Sequence, residues 1–209
     1  MNEHKKKIIL TTLITLVPIL IGLILSSKLP EAIPTHFDMN GTPDRYSSKY
    51  FTIFGLPLIL AVLHLITLFG VLHDPKKTDI GDKMLSLIFY ICPVISVIVN
   101  TIIYTFALGY PVNTSRVVML LIGILFIALG NYLTKIHQNY TVGIKLPWTL
   151  NSRENWNKTH RFASKLFIIG GFIILLNTIF TSIALLIAVL VLISLIPCIY
   201  SFMLYQKGI

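Results

Sequence analysis

The amino-acid sequence predicts an all-α membrane protein of six transmembrane helices with both termini on the cytoplasmic side. It also predicts a structured outer loop after the first helix and a long basic-aromatic cytoplasmic loop between helices four and five. Three observations carry this reading. The 209 residues are 55% hydrophobic and 12% charged, with a mean hydropathy of +0.82, whereas soluble domains carry about 25% charged residues. The apolar residues fall into runs long enough to cross a bilayer, and the basic residues collect at the ends of those runs. One or two soluble domains would suit the length, but this composition excludes them. The Leu and Ile content excludes a disordered tail. Apolar runs that recur down to the C-terminus exclude a signal peptide followed by a secreted domain.

A spanning helix needs about 20 mostly apolar residues. The first run is Ile8–Ser26 and the second Phe51–Leu72. The third extends from Met84 to Leu108 and the fourth from Val117 to Thr134. The last block, Leu166–Leu204, is too long for one span and divides at Phe180-Thr181-Ser182 into two helices joined by a tight turn. That makes six, with the fifth short unless its helix begins before Leu166.

Charge placement fixes the orientation. Of the 17 Lys and Arg residues, thirteen lie before the first run, between the second and third, between the fourth and fifth, or after the sixth. The other four, Lys28, Arg45, Lys49 and Arg116, lie on the opposite side. The positive-inside rule therefore puts both termini in the cytoplasm. The net charge of +9 reads as topology markers and anchors at an anionic leaflet, with no direct nucleic-acid contact. Reporter fusions after Lys7, near Asp79, within Asn151–Asn157 and after Gly208 should report the cytoplasm. Fusions near Asn40 and Asn113 should report the outside. An outside signal from Asn151–Asn157 would overturn the topology.

Inside the spans, ionisable residues are nearly absent. His64 in the second run is the exception, and it reads as a histidine bonded to a neighbouring helix. Ser96, Asn100 and Tyr104 form a stripe in the third run, as do Ser194, Cys198 and Ser201 in the sixth. Gly123 and Gly130 share a face of the fourth. Small and weakly polar stripes of this kind serve helix packing. Cys92 and Cys198 lie within apolar runs and read as small packing residues, not as a disulfide.

Two connectors do more than connect. The outer loop, Ser27–Tyr50, holds three prolines and the Asn40-Gly41 pair, so it is a series of defined turns. Asp38 suits an Asx-type turn, and Ser47 or Ser48 a helix cap. His36, Asp38, Asn40, Gly41 and Asp44 are the candidate ligand-recognition residues, because a shaped surface loop displaying polar groups is commonly a recognition element. Their spacing specifies no metal site. The loop's acids and bases cancel, so a ligand is met by local chemistry with little electrostatic steering.

The inner segment from Gly130 to Arg161 is the more informative. Asn151 followed by Glu154 resembles a helix-opening capping box, and a helix starting at Ser152 runs straight into the short fifth span. On it Trp156 and His160 are one turn apart, and with Arg161 they are expected to form an exposed aromatic and basic face. An aromatic-basic belt at headgroup level is the plainer reading. Against a mere belt stand Asn139, Gly143 and Pro147, which specify backbone shape. No Gly-x-Ser-x-Gly, phosphate-binding glycine loop or His-Glu-x-x-His occurs, so neither an enzyme nor a cofactor is expected.

The block Gly130-Asn131-Tyr132, Asn139-Tyr140, Gly143-Ile144-Lys145-Leu146-Pro147-Trp148-Thr149-Leu150, Trp156 and Thr159-His160-Arg161 resembles the signature of the SdpI family. These are bacterial membrane proteins named for immunity to a secreted toxin. Leu29-Pro30, Ile33-Pro34-Thr35-His36, Gly41, Asp44 and Ser48-Lys49 look like the N-terminal companion domain of that family. Lys145 departs from the pattern, where Arg is expected, and loses the planar fork of a guanidinium. The resemblance implies a division into a companion region, 1–83, and an SdpI-like region, 84–209. It implies protection against a secreted peptide toxin on the outer side. It also implies signalling, in which the toxin-engaged protein holds a cytoplasmic transcriptional repressor at the membrane. Asn131, Asn139, Gly143, Lys145, Pro147, Trp148, Thr149, Trp156, Thr159, His160 and Arg161 are the signature residues that would meet that partner. Two other classes stay open from the residues alone: a protein acting on or binding lipid headgroups, and a small-solute transporter.

Overall fold

The computed structural model describes residues 3–38 and 41–209. Among them six helices are long and apolar enough to cross a membrane. In chain order these are α1 (Glu3–Leu25), a second span opening with a π-helical turn, Phe51–Gly55, and continuing as α2 (Leu56–Leu72), then α3 (Asp82–Ala107) and α4 (Thr114–Leu133). A short helix, α5 (Pro147–Asn151), precedes α6 (Arg153–Asn177) and α7 (Ile183–Gln206). Between α1 and the second span the chain forms an antiparallel hairpin of β1 (Ala32–Phe37) and β2 (Pro43–Ser48). The outer loop is therefore built of strands as well as turns, which the helical reading of the sequence had not specified.

Local chemistry sets the ends and irregularities. Pro57 has no N–H for the carbonyl four residues back, and Leu56 N–H instead reaches Phe51 O, giving the wider π turn. Ser48 Oγ accepts from Phe51 N at 3.3 Å, which opens this span. The fifth span begins at Arg153, well before the apolar run, as its length requires. Its cap is Ser152, whose Oγ accepts from Asn155 N at 3.1 Å. Asn151 belongs instead to α5, so the cap of α6 falls one residue later than expected, as a simple N-cap at Ser152. Between α6 and α7 Thr181 takes a φ of 51°. Asn177 holds that tight turn by accepting from Ser182 N at 3.1 Å and donating to Ser182 O at 2.7 Å.

By contacts the chain forms two compact units, Met1–Gly70 with Ser86–Thr114, and Val71–Leu85 with Ser115–Ile209. Most of α3 thus groups with the first two spans. In the first unit the polar stripe of α3 faces α1. Ser96 Oγ donates to Thr15 O at 2.8 Å and Tyr104 Oη to Pro18 O at 3.2 Å. Thr11 Oγ1 donates to Lys7 O, so His64 Nε2–H donates to Thr11 Oγ1 at 2.9 Å. The hairpin is seated by Leu29 and Ile33, which pack with Ile53, Ile103 and Tyr104. A Cβ on Gly22 would lie 2.6 Å from Tyr104 Oη and 2.9 Å from Ile53, so any larger residue there must push both side chains aside.

The second unit packs α4, α6 and α7 around Met119, Ile174, Val189 and Ile193. Gly123 and Gly130 do line the α4 face against α6. Their virtual Cβ atoms meet Gly171 O at 3.0 Å and Ser164 O at 2.9 Å, and Ser164 Oγ donates to Gly130 O at 2.7 Å. Ser201 of the α7 stripe is buried, while Ser194 is exposed and bonds its own Leu190 carbonyl. Across both units the buried polar side chains lie inside, and large apolar ones such as Ile24, Ile179 and Phe180 point outward. Lipid as solvent demands this arrangement, since polar groups must find partners within the protein.

Candidate functional site

The hairpin pairs Ile33 with Ser47 and Pro34 with Tyr46, then shifts register around His36. Thr35 is left unpaired on one strand and Asp44 on the other. Such irregularities re-aim side chains, and His36 Nδ1 and Asp44 Oδ1 meet at 2.5 Å on the exposed surface. The hydrogen bond from His36 is the chief cause of an Asp44 carboxyl lying below its ordinary range. Asp38 makes the expected Asx turn, with its Oδ1 accepting from Thr42 N at 2.8 Å, and Gly41 takes a φ of 81°. Asp38 and Gly41 therefore shape the tip, while His36, Asp44, Arg45 and Tyr46 are displayed. Asn40 lies outside the described residues. At the base Lys49 Nζ pairs with Glu31 Oε1 at 2.6 Å.

The segment after α4 folds into a knot over the start of α6. Asn139 organises its first turn. Its amide donates to His137 O and Val142 O, and its carbonyl accepts from Thr141 N and Val142 N. Gly143 follows with a φ of 125° and lies against the rings of Trp156 and His160. Those rings stack with centroids 4.0 Å apart. Trp156 Nε1 donates to Ile136 O at 2.9 Å. His160 Nδ1 donates to Trp156 O at 2.8 Å, while Nε2 accepts from Ile144 N at 3.0 Å. The imidazole is thereby held neutral in one tautomer. Thr149 Oγ1 accepts from Leu146 N and donates toward Ile144 O and Leu146 O, fixing the entry to α5.

One expectation is corrected here. Trp156 is 0% and His160 1% exposed, so they form the inside of the knot and not an exposed face with Arg161. An aromatic-basic helix has the same composition whichever side a loop covers. Here residues 136–146 fold back over the aromatic side and leave the basic one open. Thr159 is also buried and donates to Asn155 Oδ1 at 3.0 Å. Trp148 Nε1 donates to Ser201 Oγ, and its ring packs on Phe202 and Tyr205. Asn131, Lys145, Pro147 and Arg161 are exposed.

Three contributors escaped the sequence reading, and a fourth, Ser201, stands there as a packing residue alone. Gln138 donates to the carbonyls of Thr149 and Leu150, closing the end of α5. Asn155 donates to Ser201 O and Ile209 O, both at 3.0 Å, and ties α6 to α7. Its i to i+4 relation to Thr159 was the available signal. Ser201 receives both Trp148 and Asn155. Asp74, in the connector after α2, accepts from Lys76 N at 2.8 Å, Tyr140 N at 3.0 Å and Thr141 Oγ1. Burial pushes the Asp74 carboxyl up, but the Thr141 hydroxyl and the backbone donors outweigh it and hold it below the ordinary range. A depressed carboxyl contributes stability above its unfolded pKa and loses it as pH falls through the folded value, so this clamp is intact at neutral pH. No spacing in the sequence links Asp74 to Thr141.

The polar residues of the spans read as packing in this geometry. His64 and Ser96 bond helix α1, and Asn100 Nδ2 bonds Ser96 O at 2.8 Å. His160 faces backbone groups on both nitrogens, with no carboxylate partner among the described residues.

Comparison with known proteins follows the same two regions. Residues 135–201 match the model of the SdpI/YfhL protein family, and residues 13–61 match that of a domain of unknown function, DUF1648. The chain is 31% identical over 209 residues to the immunity protein SdpI of Bacillus subtilis (strain 168), covering 97% of each chain. No solved structure matches it.

Proposed function

The chain belongs to the SdpI/YfhL family, and from that membership we propose that it is an immunity protein of the bacterial cell membrane, protecting against a secreted peptide toxin. The likeness over 97% of both chains to a protein named for immunity carries this reading. The orientation proposed is N-in and C-in. It is supported by the thirteen-to-four charge asymmetry and by Asp74, which joins the second connector to the fourth as two segments on one side of a bilayer.

In this reading the hairpin meets the toxin outside. Its tip is shaped by Asp38 and Gly41, and the His36–Asp44 pair stands exposed with Arg45 and Tyr46. The inner knot supports the signalling role, holding a cytoplasmic transcriptional repressor once toxin is engaged. Its open surface comprises Lys145, Pro147 and a groove of about 440 Å³ lined by Pro147, Trp148, Asn151, Ser152 and Tyr205. No catalytic step is assigned, because His160 has both nitrogens engaged by the backbone.

The test replaces Thr35–Arg45 by a Gly/Ser linker of equal length. Membrane insertion and protein level should stay near normal, since Leu29, Ile33 and Ile53 remain, while survival under toxin and toxin-dependent recruitment of a fluorescent repressor are both lost. Full survival of the replaced protein would move recognition out of the hairpin.

A further inference from the structure

Between the end of α4 and the first turns of α6 lies a second pocket, of about 220 Å³, lined by Thr134, Ile136, His137, Asn157, His160 and Arg161. Arg161 can only donate, Asn157, His137 and Thr134 can each donate as well as accept, and no carboxylate lines the pocket. Asn157 and Arg161 are four residues apart and so share one face of α6. Three neighbouring carbonyls already hold a donor each: Ile136 O from Trp156 Nε1, His137 O from Asn139 Nδ2 and Gly130 O from Ser164 Oγ. His160 is a fixed wall, held by Trp156 O and Ile144 N. Among the described residues none accepts a hydrogen bond from Arg161, Asn157 or His137.

Position narrows the occupant. Thr134 ends the apolar run of the fourth span, and Arg161 directly precedes Phe162, where α6 turns apolar. The pocket therefore opens at headgroup depth. Lys135 and Lys165 flank it in sequence. Basic pockets between membrane helices suit phosphate-bearing headgroups, and a guanidinium matches phosphate oxygens two at a time. The volume falls below the ~300–1,000 Å³ of sites for drug-sized ligands, which suits a single headgroup.

We propose that this pocket binds the phosphate of an anionic membrane lipid, held by Arg161, Asn157 and His137 while the acyl chains remain in the bilayer. Arg161 is thereby assigned to lipid and not to the cytoplasmic partner. The assignment is independent of toxin protection. A soluble phosphate would present the same chemistry, and the test separates the two sources.

The full chain, purified in an uncharged maltoside detergent without phosphate, is titrated with short-chain phosphatidylglycerol and, separately, with inorganic phosphate. Binding is read by thermal stabilisation and by tryptophan fluorescence, because Trp156 stacks on the His160 wall. Phosphatidylglycerol should bind saturably. Arg161→Gln and Asn157→Ala should each weaken it, the former about tenfold, the scale of a lost charge-assisted contact. Lys158→Gln, on an exposed residue paired with Glu154 outside the pocket, should leave binding within about twofold, the scale of a surface charge. All three proteins should melt like wild type without lipid. A variant that does not is set aside, and the comparison rests on the other pocket residue. Unchanged affinity in both pocket variants, or equal weakening by Lys158→Gln, would overturn the site. Saturable inorganic phosphate with the same Arg161 dependence, and no lipid effect, would overturn the lipid assignment.

Discussion

Trp156→Ala should destabilise the detergent-solubilised protein by about 3–5 kcal/mol, the range for emptying a buried Trp site. The residue is wholly buried, its ring is stacked on His160, and its Nε1 satisfies Ile136 O. Truncation leaves a cavity beneath Gly143 and orphans a carbonyl, which alone costs about 1–3 kcal/mol. Trp156 stands in the first turns of α6, ahead of its apolar stretch, so energies measured in water apply better here than at mid-membrane. In cells, protein level should fall, and the proposed toxin protection and repressor recruitment should fall with it. Trp156→Phe keeps a smaller aromatic ring but orphans the same Ile136 carbonyl, and should cost about 1–3 kcal/mol. Arg161→Ala, on the exposed side, should stay within about 0.5 kcal/mol. Thermal scanning with an immunoblot checks all three, and comparable losses for Trp156→Ala and Arg161→Ala would refute the packing described for this helix.

Gly143→Ala should be nearly as damaging, although it adds one methyl group. The φ of 125° is strained for any side chain, and the new Cβ would lie 2.5 Å from His160 Nε2 and 2.9 Å from the Trp156 ring. Neither ring can retreat without breaking its bond to Ile144 N or Ile136 O. Backbone strain and overpacking together predict a loss of about 2–6 kcal/mol. Gly109 supplies the internal control. It also has a positive φ, 85°, but nothing lies within 4 Å of its virtual Cβ. Gly109→Ala should therefore cost only the backbone share, about 1–2 kcal/mol. Equal melting temperatures for the two variants would show that His160 does not crowd Gly143.

The spans were legible because hydrocarbon imposes one requirement, length without charge, and each run meets it locally. The hairpin was not. Its strands are six residues each, the first interrupted by Pro34 and the second opened by Pro43, and Ile33 is buried by distant residues, Ile53, Ile103 and Tyr104. Asn40-Gly41 was its strongest signal. In the inner segment, Asn139, Gly143 and Thr149 were legible as shape-setting residues, because amides, glycines and hydroxyls act on backbone within a few positions of themselves. The orientation of Trp156 was not, since it depends on a loop twenty residues away. Asp74 was least legible of all, because its partners lie across two helices of sequence.

That last separation also has a meaning in time. Asp74 emerges from the ribosome 67 residues before Thr141, which at synthesis rates of about 5–20 residues/s is roughly 3–13 s. Throughout that interval two of its three donors, Tyr140 N and Thr141 Oγ1, have not yet been made, so the second connector is an unclosed latch. It closes when the fourth helix has been threaded and the following turn delivers Tyr140 and Thr141. The latch thus records the completion of that step in biogenesis. A nascent chain that mis-threads α4 would leave Asp74 without Tyr140 and Thr141, its two long-range donors.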